Sequence, residues 1–196
     1  MSTRTDRILS FLKIIEKCKV IERQIYNSNL NRRESDAEHS WHLAMFLFLF
    51  KKDLPKKLDF EKMLKLALMH DLVEIYAGDT FAYDKPGQST KKERENKAAL
   101  KLFSKLPEDL NKEFSDLFNE YQEVNTTESK MVKSFDKIQP IFQNICSGGK
   151  SWIEHLVTLK QINDYKRRHM VHNDFILAVY EKLLEDAKNK GLLPVS

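Results

Sequence analysis

Helix-start signals punctuate this chain at short intervals and leave room for little else. Ser35 with Glu38, Thr90 with Glu93 and Ser151 with Glu154 each pair a hydroxyl with a carboxylate three residues on, the spacing of a reciprocal helix cap. Asp59 stands where it would cap a further helix, and Gly78 where that helix would stop. Between the signals apolar residues recur at helical spacing, as at Ile8, Phe11, Leu12, Ile15 and Cys18. The pattern predicts helices over about 5–23, 35–51, 59–76 and 173–190, with others opening at Thr90, Pro107, Thr126 or Thr127, and Ser151. Pro140 should kink or interrupt the helix that opens at Thr126 or Thr127, and Gly148-Gly149 breaks the chain. Residues 24–34 are polar and Asn/Arg-rich and read as a loop, as does the stretch holding Pro86 and Gly87. No segment reads as a convincing strand. The expectation is an all-α fold, a single domain over residues 1–196 built as a bundle of about seven to nine helices.

Composition narrows the class further. Only five Gly and five Pro occur in 196 residues, too few for turn-rich barrels or sandwiches. With 41% hydrophobic and 32% charged residues, the chain can bury a core and is too apolar for disorder. The net charge of +4 is spread along the chain, which hints at anionic partners without calling for nucleic acid. The longest apolar run, near Leu43 to Phe50, falls far short of the roughly 20 residues of a membrane span. The N-terminus lacks a signal-peptide pattern, and two cysteines, Cys18 and Cys146, read as reduced thiols of a cytoplasmic protein.

The chemistry stands out where ionisable groups enter apolar helix faces. In the helix predicted over 59–76, Leu64, Ala67, Leu68, Leu72 and Ile75 make the apolar stripe, and Asp71 lies within it. His70 and Glu74, four residues apart, border the same face. A carboxylate in such a place is costly unless something compensates it, and a cation would compensate Asp71 and His70 together. Oxygen and imidazole donors without thiolate suit Mn, Fe, Co, Ni, Zn or Mg. The competing reading has His70 hydrogen-bonded in the core and Asp71 capping a neighbouring helix. His39 sits one turn into an otherwise nearly apolar helix, and Asp136 interrupts the stripe of Met131, Val132, Phe135 and Ile138. Each has its own bland account, a satisfied core histidine for His39 and a salt bridge to Lys133 or Lys137 for Asp136. If the four converge, they make a two-histidine, two-aspartate metal site with positions left for water and substrate.

The order His39, His70-Asp71, Asp136 resembles the HD-domain superfamily of metal-dependent phosphohydrolases. Glu38-His39-Ser40, His70-Asp71-Leu72-Val73-Glu74 and Gly78-Asp79 narrow the resemblance to its 5′-deoxynucleotidase branch, over roughly residues 8–180. The resemblance implies one divalent ion held by His39, His70, Asp71 and Asp136. It implies that Glu74 orients or deprotonates the attacking water, and that Asp79 sits on the leaving-group side. Arg23 resembles the family's phosphate-contacting arginine, with Arg32 and Arg33 as rivals nearer to His39. It also implies a small nucleotide as substrate and a homodimer, for which Trp152, Tyr165, Phe175 and Tyr180 would offer spare apolar surface. Two departures concern the nucleotide. Gln24 stands where the family carries tryptophan, and Thr80-Phe81-Ala82-Tyr83-Asp84 replaces a proline-rich phrase. Phe81 or Tyr83 would stack on a base or pack locally.

The expected activity is release of phosphate from nucleoside 5′-monophosphates, preferably deoxy ones. The alternatives are an HD-fold phosphodiesterase for dinucleotides and a non-catalytic nucleotide-binding regulatory module. Little action on triphosphates is expected, because residues 78–88 supply only Lys85 as a cation. Lys166-Arg167-Arg168-His169 reads as a solvated helix end, and Lys91-Lys92-Glu93-Arg94-Glu95 as an exposed helix start.

Overall fold

The computed structural model describes residues 3–194. In chain order the elements are α1 (Arg4–Ile15), a 3₁₀ turn (Glu16–Lys19), β1 (Glu22–Tyr26), β2 (Arg33–Ser35), α2 (Asp36–Leu49), α3 (Phe60–Met69) and α4 (Glu74–Ala77). They continue as α5 (Lys85–Phe103), α6 (Glu108–Glu123), α7 (Thr127–Cys146), α8 (Lys150–Glu154), α9 (Leu159–Lys166), a second 3₁₀ turn (Arg167–His169) and α10 (Asp174–Asn189). The all-α expectation holds. Setting aside α4 and α8, which are short, eight helices of eight residues or more remain among the described residues.

Several helix starts form as their sequences direct. Ser35 and Glu38 make a reciprocal cap on α2, Thr126 caps α7, and Asp59 accepts from the Lys62 amide to open α3. Two do not. Pro86 lies in the first turn of α5, which therefore begins upstream of Thr90, and the Thr90 hydroxyl donates to the Gly87 carbonyl instead. Gly149, at φ +72°, opens α8, so Ser151 lies inside that helix and its hydroxyl donates to the Gln24 carbonyl. A further reciprocal cap, Thr158 with Gln161, starts α9.

The loop expected over 24–34 is in part a hairpin. β1 and β2 pair antiparallel, Glu22 opposite Ser35 and Tyr26 opposite Arg33. Strands this short, polar and half-exposed carry no alternating apolar signal. The ribbon packs on α7 and α8 and carries Arg23 to the cleft described below. Pro140 does not interrupt α7, which continues from Thr127 to Cys146.

α7 is the axis of the bundle. α2, α3, α6 and α10 pack around it, and Val132, Phe135, Ile138 and Ile141 are buried along its length. Phe46 and Phe50 pack on Phe135, and Phe142 meets Phe46 edge-on. The aromatic residues expected to offer a dimer surface are used internally. Trp152 and Tyr180 are buried, and Phe175 packs edge-on to Phe50. The large apolar side chains left exposed on α2 are Trp41, Phe48 and Leu49. Cys18 and Cys146 are both free, and no helix of the described residues is long and apolar enough to cross a membrane.

Candidate functional site

His39 projects from the first turns of α2 and is wholly buried. Its Nδ1 lies 2.8 Å from Oε1 of Gln139, whose amide nitrogen donates to Glu34 at 2.6 Å. That orientation makes Gln139 the acceptor, so Nδ1 carries the proton and Nε2 presents its lone pair. Burial, with Arg23 nearby, pushes the His39 pKa down to about 4, so the ring is neutral near pH 7. The His70 ring is oriented by a single hydrogen bond. Its Nδ1 donates to the Ala67 carbonyl at 2.9 Å, and its Nε2 is buried without a hydrogen-bond partner.

The helix predicted to run to Tyr76 ends at Met69, with His70 as its cap. Residues 70–73 form a tighter turn, with Glu74 donating to the Asp71 carbonyl, before α4 begins at Glu74. Adjacent side chains on a regular α-helix diverge by about 100°. Here the turn brings Nε2 of His70 and Oδ2 of Asp71 to 3.1 Å.

Asp136 enters from α7. Its Oδ1 lies 3.2 Å from His39 Nε2 and 3.8 Å from His70 Nε2, and Asp71 Oδ2 lies 3.8 Å from His39 Nε2. Two ligands about 2.1 Å from one ion stand about 3.0–3.4 Å apart at octahedral to tetrahedral angles. His39, His70 and Asp136 therefore fit a divalent ion in size and donor type, Asp71 Oδ2 lies close to both histidines, and the unpartnered Nε2 of His70 faces the place where the ion would sit. His39, His70 and Asp136 group most tightly. Asp71 is also drawn toward Arg23, whose guanidinium donates to its Oδ2 at 2.6 Å. Burial pushes the two aspartates up. His70 and Arg23 outweigh it for Asp71, as Lys137 and His39 do for Asp136, holding both well below the usual carboxylate range.

His70, Asp71 and Asp136 line a cleft of about 300 Å³, with His39 buried beside them. Arg23, Glu74 and Asp79 line it as well. Glu74 is buried, and its Oε1 receives Lys91 at 3.3 Å while its Oε2 has no partner. Burial, and next Asp71, raise its pKa well above the ordinary value. Gly78, at φ +74°, ends α4 and turns the chain so that Asp79 to Tyr83 follow the cleft wall. Of the three arginines weighed from the sequence, only Arg23 lines the cleft. Arg32 pairs with Glu38 on the surface, and Arg33 donates to Gln24. Phe81 packs against His155 and edge-on to Tyr83, and all but His155 line the cleft.

Sequence reasoning passed over several members of the site. Tyr121 donates to Asp136 Oδ2 at 2.6 Å, and its ring lies against His70. Gln139, Glu34 and Asp36 are buried around the ligands, and Asp36 Oδ1 receives Arg23 at 3.3 Å. Asp136 does have the salt bridge weighed against it, to Lys137 at 2.9 Å, in addition to facing the histidines.

The two basic stretches read as solvated are also part of the site. Lys91, Lys133, Lys137, Lys166 and Arg168 line the cleft, whereas Lys85 is not part of its wall. Lys166 is buried and donates to the Lys137 carbonyl. Cations thus arrive from α5, α7 and α9, and the expectation against triphosphates loses the basis it had in residues 78–88. The signal was present on α7, where Lys133, Asp136 and Lys137 fall on one side of a 3.6-residue helix.

Comparison with known proteins adds to this geometry. The 5′-deoxynucleotidase HDDC2 of Dictyostelium discoideum is 36% identical over 141 residues, 69% of this chain and 74% of that protein. The Homo sapiens 5′-deoxynucleotidase HDDC2 is 33% identical over 138 residues, 69% of this chain and 66% of that one. A solved structure described as a predicted metal-dependent phosphohydrolase from Magnetospirillum magnetotacticum MS-1 superposes with a TM-score of 0.91 at 34% identity, covering 100% of both chains. The HD domain family matches residues 15–175. Every residue that lines the cleft falls inside that span, and the chain belongs to the HD domain family.

Proposed function

We propose that the protein is a metal-dependent nucleotidase that releases inorganic phosphate from nucleoside 5′-monophosphates, with deoxy sugars preferred. The observation that carries this reading is the convergence of His39, His70, Asp71 and Asp136 on one point at the floor of a cleft, with the buried carboxyl of Glu74 beside them. The relatives named 5′-deoxynucleotidases support the substrate class.

His39, His70, Asp71 and Asp136 would hold one divalent ion of the Mn, Co, Fe, Ni, Zn or Mg group. Such an ion acidifies a bound water and neutralises phosphoryl oxygens. Glu74 takes the proton of the attacking water at Oε2, the oxygen that Lys91 leaves open, and its raised pKa suits a base of that kind. The water oxygen bonds to phosphorus as the bond from phosphorus to the 5′-oxygen breaks. Asp79 assists transfer of a proton to the departing 5′-oxygen, which leaves as the nucleoside's 5′-alcohol, and Arg23 stands on the phosphate side. Phe81, Tyr83 and Gln24 flank the sugar and base.

The reading extends to organisation. We take residues 1–196 as one domain with a motif-bearing core over about 8–180, supported by a continuous apolar core from Phe11 to Ala187. A homodimer is proposed on the exposed Trp41, Phe48 and Leu49 of α2, in place of the aromatic residues that the core absorbs. Two free cysteines support a cytoplasmic location.

The test is a metal-supplemented screen for phosphate release over ribo- and deoxyribonucleoside monophosphates, with triphosphates for comparison and His70→Ala as control. Phosphate from deoxynucleoside monophosphates, absent in the control, is the expected result. Triphosphates as the clear preference, or release by the control at the wild-type rate, would overturn the reading.

A further inference from the structure

The cations around the cleft are not equally matched by carboxylates. Arg23 is engaged by Asp71 at 2.6 Å and Asp36 at 3.3 Å, with Glu34 at 3.8 Å. Lys91 lies between Glu74 and Glu95, at 3.3 and 3.1 Å. Lys137 pairs with Asp136. Lys133 has no carboxylate within ion-pair reach among the described residues. Its ammonium rests 3.9 Å from the centre of the Tyr121 ring, the same residue whose hydroxyl holds Asp136. Lys133 therefore stands one residue removed from the metal ligands, on the cleft wall, with its charge available.

An ammonium in such a place is held against two costs. It is largely withdrawn from water, and its neighbours Lys137 and Lys91 repel it while Asp136 and Asp71 attract it. Lys166 adds a second amine on the same wall, which donates to the Lys137 carbonyl and has no ion pair among the described residues. Groups of like sign gathered around a cavity are relieved when an anion enters it. Arg23 supplies little of that relief, since three carboxylates already share its single charge.

We propose that Lys133 is the main protein cation for the substrate's phosphate, binding the phosphoryl oxygens turned away from the metal ligands, with Lys137 and Lys166 supporting it. This rests on the nucleotidase reading for the identity of the anion, a nucleoside monophosphate and its product, inorganic phosphate. It also assigns a division of labour, in which Arg23 holds Asp71 and Asp36 in place while Lys133 meets the ligand.

Inorganic phosphate is the probe, because its binding needs no turnover. Metal-loaded wild type, Lys133→Met and Lys133→Arg are titrated with phosphate by calorimetry. KM and kcat for a deoxynucleoside monophosphate, metal content and Tm are measured alongside. The expected result is at least a tenfold loss of phosphate affinity and a comparable rise in KM in Lys133→Met, at wild-type metal content. Lys133→Arg should recover most of both. Phosphate affinity and KM within twofold of wild type in Lys133→Met would overturn the proposal, as would a loss traced entirely to missing metal. If Lys133→Met does not fold, Lys133→Gln is judged by the same readings. Lys133-dependent phosphate binding without release of phosphate from any nucleoside monophosphate would uphold the anion site and overturn the nucleotidase reading alone.

Discussion

Replacing Gln139 by leucine removes its hydrogen bonds to His39, Glu34 and His42 without substituting any proposed metal ligand. In the wild type, Gln139 accepts from His39 Nδ1 at 2.8 Å and donates to Glu34 at 2.6 Å, and none of its surface is exposed. Leucine leaves the Nδ1–H of His39 with no acceptor in a place water does not reach, at a cost of about 1–3 kcal/mol. The imidazole is then free to move its proton to Nε2, the nitrogen that must stay bare to bind metal. Loss of such a supporting bond typically weakens metal binding about 10–100-fold. That factor is about 1.4–2.7 kcal/mol, inside the first range. Glu34 adds less, because burial already pushes its pKa up to about 7 and it can take up a proton when its donor goes. The assay is titration of Mn or Co ions against a chelating dye near pH 7.5, with thermal melting of the metal-free variant as a check on folding. A folded Gln139→Leu protein that binds metal within twofold of wild type would refute the idea that this bond sets the histidine's tautomer.

Glu74→Gln should keep its metal and lose about 10²–10⁴ in kcat; a variant that loses metal would make Glu74 a ligand instead. Metal at a hundredfold excess over Kd should stabilise the fold by about 2.7 kcal/mol. At about 2–4 °C per kcal/mol for a chain of this size, Tm rises by roughly 5–11 °C. His70→Ala and Asp136→Asn should abolish that rise, and an undiminished shift in either would remove the residue from the ligand set. Phosphate affinity should fall on the alkaline side. Burial and Lys137 push the Lys133 pKa down to about 8, so the binding form is present below that pH and is lost as pH rises through it. Each further pH unit then costs up to about tenfold in affinity. Lys133→Arg should flatten this limb, and an equal slope in both proteins would contradict the assignment.

Much of the site could be read from sequence because a charge on an apolar stripe is conspicuous. His39, His70, Asp71 and Asp136 stand out for that reason, and they do converge. The supporting groups are harder to see. Gln139, Tyr121 and Glu34 are ordinary residues until the packing of α7 against α2, α3 and α6 brings them to the ligands. Lys166 looks like a solvated cation at a helix end, and only the tertiary fold turns that end inward. Helix starts were legible where a hydroxyl or carboxylate cap had no rival. At Thr90 the signal lost to Pro86, and at Ser151 to Gly149. The hairpin was not legible, since a register of a few polar residues is decided by the surfaces it lands on.

Lys133, Asp136, Lys137 and Gln139 all hang from one twenty-residue helix, α7, and α10 packs against that helix. A rigid slide of α7 by even a fraction of a turn would move all four side chains as a set. Damage transmitted through α10 would therefore appear as matched losses in ion retention and anion affinity. Damage confined to the segment after Gly78 would spare the first while changing which nucleotide is accepted. Correlated against uncorrelated loss across a surface mutant library would thus reveal which faces are mechanically joined to the catalytic floor.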